Sequence, residues 1–170
     1  MIDAAFAALE RALKNDRSRC VCDGLLAIAM KNDPDSNAKI RALLANSEIS
    51  RGVRMHVAKE LISGGAPPQV MGLPALFTYL GGNTADTQRL ARKALHRYAP
   101  VASDLEVLKA QVENGNDLQR RLACIVIGKL TEDASALKDA LVTLSSDNDS
   151  SEEARGEAEK ALAMVFAASL

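Results

Sequence analysis

The sequence predicts an all-α fold, and three observations lead to this prediction. Apolar residues recur along most of the chain with the 3.6-residue period of an amphipathic helix, and no stretch alternates apolar and polar residues for long enough to indicate a strand. Hydrophobic residues make up 48% of the 170 residues, but aromatic residues only 3%. The apolar weight falls mainly on alanine and leucine, which favour helices. We therefore expect one helical domain spanning residues 1–170.

Breaks rich in Gly, Pro, Asn and Asp separate the periodic segments and set the helix limits. The predicted helices cover, in order, about 2–14, 17–31, 35–46, 50–63, 68–81, 85–98, 103–114, 117–130, 134–145 and 151–168. The breaks between them include Asp33-Pro34, Gly64-Gly65, Pro67-Pro68, Gly81-Gly82 and Pro100. These residues supply unusual backbone dihedrals or remove a helical donor. A Ser three residues before a Glu predicts a capping box at Ser103 with Glu106 and at Ser150 with Glu153.

The first helix of each predicted hairpin carries one apolar stripe. A stripe of this kind places residues on a single helical face that must be buried against a neighbour. In chain order the stripes are Phe6, Leu9 and Leu13; Ile40, Leu43 and Leu44; Leu73, Phe77 and Leu80; Leu105, Leu108 and Val112; and Leu137, Leu141 and Leu144.

The second helices share a more specific pattern. In each, a small or apolar residue precedes Arg or Gln, and small or apolar residues follow three and seven positions later; the sixth position is also small or apolar except in the second hairpin, which has Glu60 there. The Arg or Gln stands at positions 19, 54, 88, 119 and 155, so the separations are 35, 34, 31 and 36 residues. A helical hairpin that recurs at such a period is a signature of a solenoid.

This pattern resembles the second helix of HEAT-like repeats. The best matches run from Val53-Arg54 to Leu61 and from Ala154-Arg155 to Leu162. The resemblance implies a right-handed α-solenoid of about five antiparallel hairpins, whose second helices line the concave side. Stacking of thin hairpins also accounts for the few aromatic residues, because Ala, Leu and Val suit close layers.

The sequence contains few residues that could form a catalytic or metal-binding site. Cys20 and Cys22 would point about 200° apart on a helix and cannot share a metal ion there. We expect Cys22 to be buried as a small hydrophobic residue, and Cys124 to be an ordinary free thiol. His56 and His96 have no helical partner for a metal, and both are expected at the surface. The sequence therefore predicts no catalytic, cofactor-binding or metal site, and we expect a protein that is not an enzyme.

The charge distribution is uneven. Residues 1–131 contain 18 Lys and Arg against 13 Asp and Glu, a balance of +5, while residues 132–170 contain 3 against 9, a balance of −6. Cations on the second helices of the middle hairpins would converge if these helices line a concave side. We predict a partner-binding groove formed by Arg54, His56, Lys59, Arg89, Arg92, Lys93, His96, Arg97, Arg120 and Arg121, with Met55, Ile62 and Ile127 as apolar anchors.

These features predict a cytoplasmic, non-catalytic scaffold, adaptor or immunity-type inhibitor that binds an acidic protein surface. Arginines without interleaved aromatic residues suit ion pairs better than base stacking. A nucleic-acid-binding or DNA-repair protein is the first alternative, a lyase-like helper is the second, and an ordinary solvated helix face is the plainest interpretation of the charges. No apolar run has the length of a membrane span. The apolar segment 161–170 is expected to pack on the fourth hairpin or to reach a partner.

Overall fold

The structure is a computed structural model that describes residues 2–15, 17–82, 84–130 and 134–166, apart from the side chains of Ile2 and of residues 18–20. The predicted all-α class is confirmed: the described residues form ten α-helices and no strand. The helices are α1 (Ile2–Lys14), α2 (Ser18–Ala29), α3 (Pro34–Ala45), α4 (Arg51–Ser63), α5 (Leu73–Leu80), α6 (Ala85–Leu95), α7 (Leu105–Asn114), α8 (Asp117–Ile127), α9 (Lys138–Ser146) and α10 (Glu152–Phe166). Short 3-10 helices, Pro68–Val70, Ala102–Asp104 and Ser135–Leu137, precede α5, α7 and α9.

The helices pack as successive hairpins. Each odd-numbered helix contacts the even-numbered helix that follows it, from α1 with α2 to α9 with α10. The even-numbered helices form a continuous row, because α2 packs on α4, α4 on α6, α6 on α8 and α8 on α10. One core cluster runs through the stack from Phe6 in α1 to Ala161 in α10. The predicted stripes supply much of this core, with Leu9 and Leu105 half-buried at its edge.

The predicted helix over 68–81 is divided in two. Its first part is the 3-10 helix Pro68–Val70, and α5 begins only at Leu73. Gly72 separates the two parts with a φ of +72°, a conformation that side-chain-bearing residues rarely adopt. Pro74 follows in the first turn of α5, where a missing N–H costs no helical hydrogen bond.

Two predicted capping boxes are wrong in their details. Ser103 lies inside a 3-10 helix, and the Asp104 carboxylate instead accepts a hydrogen bond from the Val101 N–H at 3.0 Å. At the start of α10, the Oγ of Ser151 accepts from the Ala154 N–H at 3.2 Å. Ser150 is occupied elsewhere, since its hydroxyl donates to Asp147 at 2.6 Å.

The even-numbered helices from α4 onward begin in the same way. A polar side chain just before each helix accepts a hydrogen bond from the backbone N–H three residues later, which satisfies one of the free amides of the first turn. The pairs are Ser50 with Val53, Thr84 with Thr87, Asn116 with Gln119, and Ser151 with Ala154.

The residue after each of these pairs reaches back within its own hairpin, and we call this contact the hairpin clasp. Its donors and acceptors are Arg54 to the Leu44 carbonyl (3.3 Å), Gln88 to the Gly82 carbonyl (2.6 Å), Arg120 to the Glu113 carbonyl (3.3 Å) and Arg155 to Asn148 Oδ1 (3.5 Å). Arg120 therefore occupies the repeat position that the sequence pattern gave to Gln119. The side chain of Arg19, the corresponding residue of the first hairpin, lies outside the described part of the chain.

The thiols and the C-terminal helix follow the sequence expectations where they are described. Cys22 is buried as predicted, and Cys124 is buried as well. The side chain of Cys20 lies outside the described residues. Helix α10 packs on α8 of the fourth hairpin, as predicted, with Ala161 buried and Phe166 half-buried against the core. Residues 167–170 of that segment lie outside the described part of the chain.

Candidate partner-binding surface

Three cationic side chains and one histidine lie at and just beyond the C-terminus of helix α6. Its sequence alternates pairs of buried and exposed residues, so Leu90-Ala91 and Ala94-Leu95 enter the core. Arg92, Lys93, His96 and Arg97 are exposed between and after these pairs. We call these four residues the α6 basic cluster. The surface positions predicted for both histidines are confirmed, since His96 is exposed and His56 is half-buried.

The end of α6 is held by side chains from the next hairpin. Lys129, just after α8, donates from Nζ to the carbonyls of Leu95, His96 and Tyr98 at 3.3, 2.7 and 3.4 Å. A cation placed there satisfies the last carbonyls of the helix and complements its dipole. The buried Tyr98 hydroxyl donates to Asp104 at 3.3 Å. Burial and the charge of Asp104 raise the pKa of Tyr98, so the phenol remains a proton donor.

Three other residues of the predicted groove form ion pairs with acids of the even-numbered helices. Two of these pairs join neighbouring even-numbered helices, and the third lies within α6. Lys59 on α4 and Arg89 on α6 both lie 3.8 Å from the carboxylate of Asp86. Arg121 on α8 lies 3.5 Å from Glu153 on α10. Within the described residues, no ion pair involves Arg92, Lys93 or Arg97, and Arg54 is the one other Lys or Arg of the predicted groove that lacks an acid.

Arg54 contacts its own hairpin, whereas Arg120 contacts its own hairpin and the next one. Both guanidinium groups form hairpin clasps, and Arg120 also donates to Ser150 at 2.7 Å and lies 3.6 Å from Asp147. The pKa of the Asp147 carboxyl is lowered, first by the hydrogen bond from the Ser150 hydroxyl, then by the Asp149 N–H and by the charges of Arg120 and Arg155.

The three predicted apolar anchors differ in how deeply they are buried. Met55 and Ile62 are half-buried on α4 and pack against the core with part of their surface accessible. Ile127 is fully buried. The prediction that Ile127 anchors a partner is therefore wrong, because this side chain belongs to the interior of the stack.

A cleft between the second and third hairpins was not predicted. It has a volume of about 510 Å³ and lies between α3, α4 and α5. We call it the interhairpin pocket. The residues lining it are Arg41, Leu44, Ala45, Arg51, Arg54, Met55, Met71, Pro74, Ala75, Thr78, Tyr79 and Gly82. Three arginines and no acidic residue line this cleft, whose walls are otherwise mainly apolar. The sequence signal was the pair Arg51 and Arg54 beside Met55, but the contribution of Arg41 and Tyr79 depends on how the hairpins stack.

Comparisons with known proteins give no relative: no family model, no curated protein and no solved structure matches this chain. Among the described residues, no three or more His, Cys, Asp and Glu side chains come together in a way that could hold a metal ion. None of the described helices combines the length and apolar character needed to cross a membrane.

Proposed function

We propose that this protein is a non-catalytic binding module of the HEAT-like, right-handed α-solenoid class, and that it acts in the cytoplasm. The row of even-numbered helices and the recurrence of cap and hairpin clasp support the repeat architecture. Helical repeats of this class use an extended face of stacked helices for binding.

The proposed binding function rests on the α6 basic cluster. Solvated helices commonly display Lys and Arg, and cations near a helix C-terminus also stabilise the helix. Here, however, acids pair with the neighbouring cations Lys59, Arg89 and Arg121, and the described residues leave the cluster itself without an acid. An acidic surface of another protein would supply the missing carboxylates, and Arg92 and Arg97 could bind them in bidentate fashion.

An acidic protein fits this surface better than nucleic acid does. Proteins that bind single strands stack bases on accessible aromatic side chains. All five aromatic residues of the chain lie in its described part, where Phe166 is half-buried and the other four are buried: Phe6, Phe77, Tyr79 and Tyr98. The cluster also contains too few cations for extensive phosphate neutralisation.

The test compares two sets of exposed cations. A cluster variant combining Lys93→Ala and Arg97→Ala with Arg92→Ala removes the three Lys and Arg side chains of the cluster, and a control combining Arg11→Ala, Arg17→Ala and Lys31→Ala removes three exposed cations from the first hairpin and the turn after it. Both should keep the helical circular dichroism of the parent. Affinity capture from the source cells, read by mass spectrometry, should recover an acidic protein with the parent and the control but not with the cluster variant.

Two results would overturn the proposal. One is equal recovery of every captured protein by the cluster variant and the parent. The other is cluster-dependent binding of a generic duplex DNA more tightly than about 1 µM at physiological salt, the strong limit for nonspecific attraction. That second result would favour the nucleic-acid alternative.

A further inference from the structure

We propose that the interhairpin pocket binds a small amphipathic carboxylate, with its apolar body in the cleft and its carboxylate held by Arg51, Arg54 and Tyr79. The volume of about 510 Å³ lies within the usual range for small-molecule sites. Such sites combine mainly apolar walls with a few polar groups that fix the orientation of the ligand. This inference concerns a different surface from the α6 basic cluster.

The first observation is a hydroxyl without a partner on a buried side chain. Tyr79 is only 8% exposed and lines the pocket, yet its hydroxyl has no hydrogen bond to any described residue. The hydroxyl itself is not one of the buried polar atoms that lack a partner, so it is accessible to water or to a ligand. A ligand oxygen in the pocket would accept the hydrogen bond that Tyr79 lacks.

The second observation is the sign of the charge around that hydroxyl. Arg54 and Tyr79 both line the pocket, and the charge of Arg54 partly offsets the burial that raises the pKa of Tyr79. The Nε of Arg54 is buried without a partner, as are those of Arg120 and Arg155, so this feature belongs to the clasp arginines and not to the pocket alone. Arg51 is exposed at the pocket and makes no side-chain hydrogen bond within the described part of the chain.

The third observation is the apolar wall of the same cleft. Leu44, Ala45, Met55, Met71 and Ala75 belong to it. Met side chains adapt readily to apolar ligands of differing shape. A free inorganic anion would leave this wall in contact with water, and a neutral apolar molecule would leave Arg51 and the Tyr79 hydroxyl without a partner, so the pocket favours a molecule with both features.

Arg41 limits the other side of the pocket and is already engaged. It donates to the Gln69 carbonyl at 2.7 Å, and its side chain passes over Gly72, where a Cβ would lie 2.8 Å from the Arg41 Cδ. Its position is therefore fixed by the backbone before a ligand arrives. We expect Arg41 to add long-range attraction for an anion and not the principal contact.

The experiment measures decanoate binding to the full chain by isothermal titration calorimetry, below the concentration at which decanoate forms micelles. Decanol supplies the same chain without charge, and inorganic phosphate supplies charge without a chain. We expect saturable binding of decanoate, binding of decanol at least tenfold weaker, and no measurable binding of phosphate. Tyr79→Phe should weaken decanoate binding about three- to tenfold, and Arg51→Gln about tenfold.

Two further variants keep the result decisive. Ala75→Leu should abolish decanoate binding by filling the cleft, while the triple alanine variant of the α6 basic cluster should bind decanoate as the parent does. The isosteric Tyr79→Phe change keeps the test valid if Arg51→Gln fails to fold. The proposal is overturned if the parent shows no saturable binding, if decanol binds as tightly as decanoate, or if the cluster variant loses as much affinity as the pocket variants. Loss of protein capture by the cluster variant alone would leave the pocket result unaffected, so the two proposals can fail separately.

Discussion

The Nζ atom of Lys129 lies 2.7 Å from the carbonyl oxygen of His96, the residue that caps the C-terminus of α6. Two more carbonyls, those of Leu95 and Tyr98, lie within 3.4 Å of the same ammonium group. One side chain of the fourth hairpin thus holds the end of a helix in the third. This contact of Lys129 holds the α6 basic cluster in position, because His96 and Arg97 directly follow the last turn of α6.

Replacing Lys129 should therefore destabilise the protein. Lys129→Met keeps the apolar part of the side chain but removes the Nζ donor from three carbonyls. Within the described residues, only the Leu95 carbonyl still accepts another hydrogen bond, from the Tyr98 N–H, and we expect the free energy of unfolding to fall by about 1–2 kcal/mol. Urea denaturation followed by circular dichroism measures this change. Lys31→Met, at an exposed position in the turn after α2, is the control and should change stability by less than about 0.5 kcal/mol. Equal stability of the two variants would show that the cap contributes nothing.

The adjacent arginines of α8 should differ sharply. Arg120, with 24% of its side chain exposed, bonds Ser150 and the Glu113 carbonyl, whereas Arg121, with 43% exposed, only faces Glu153. We expect Arg120→Met to cost about 2 kcal/mol, since it leaves partly buried acceptors unpaired, and Arg121→Met less than about 0.5 kcal/mol. The same urea titration distinguishes them. A larger loss for Arg121 would contradict the assignment of Arg120 to the hairpin clasp.

Two glycine substitutions should act in opposite directions. Gly72→Ala places a methyl group on a backbone with φ of +72° and against the Arg41 side chain, so we expect a loss of about 1–3 kcal/mol. Gly156 lies inside α10, where no described atom beyond the adjacent residues and the backbone of its own helix comes within 4 Å of the place that an added methyl group would take, and Gly156→Ala should stabilise by about 0.5–1 kcal/mol. Thermal unfolding followed by circular dichroism would show Gly72→Ala melting below the parent and Gly156→Ala above it. The same direction of change for both would refute the backbone argument.

Alkaline pH should destabilise the fold through Cys124. Burial, with a smaller contribution from the charge of Glu157, raises the pKa of this thiol from 9.0 to about 12. Because the unfolded thiol loses its proton first, the folded state binds more protons between these values, and stability falls as pH rises from about 9 towards 12. At pH 10.5 the expected contribution is a loss of about 2 kcal/mol.

Urea titrations at about pH 7.5 and about pH 10.5, with reductant present, test this effect. Cys124→Ala is the matched variant, and it should lose about 2 kcal/mol less than the parent between the two pH values. Its stability at neutral pH will also be lower, because a buried sulfur is removed. An identical pH dependence in both proteins would mean that the thiol does not carry the effect.

The helices were predictable because their signals are local. Apolar periodicity placed all ten, and the limits of α1 matched the prediction fully. The division at Gly72 was missed although a glycine followed by Pro74 was visible, because the surrounding residues are apolar throughout and continue the periodic pattern. Local capping likewise fixed the register at α8: Asn116 determines where that helix begins, and so Arg120 and not Gln119 takes the repeat position.

The candidate sites were less predictable because they depend on distances between helices. Sequence spacing identified the exposed face of α6, which requires only one helix. It could not show that Asp86 pairs with Lys59 and Arg89, or that Ile127 is enclosed by neighbouring hairpins. The interhairpin pocket was still harder to predict from the sequence, because Arg41, Arg54 and Tyr79 belong to three different helices.

The hairpin clasp bears on how such a chain can have arisen. Each clasp joins two parts of one hairpin, and the clasp residues Arg54, Gln88, Arg120 and Arg155 follow one another at intervals of 34, 32 and 35 residues. A gene segment that encodes one such interval therefore encodes one hairpin together with the clasp that closes it. Tandem duplication can therefore lengthen the stack by whole hairpins while the closure of every existing hairpin stays intact, and the contacts between hairpins remain free to diverge.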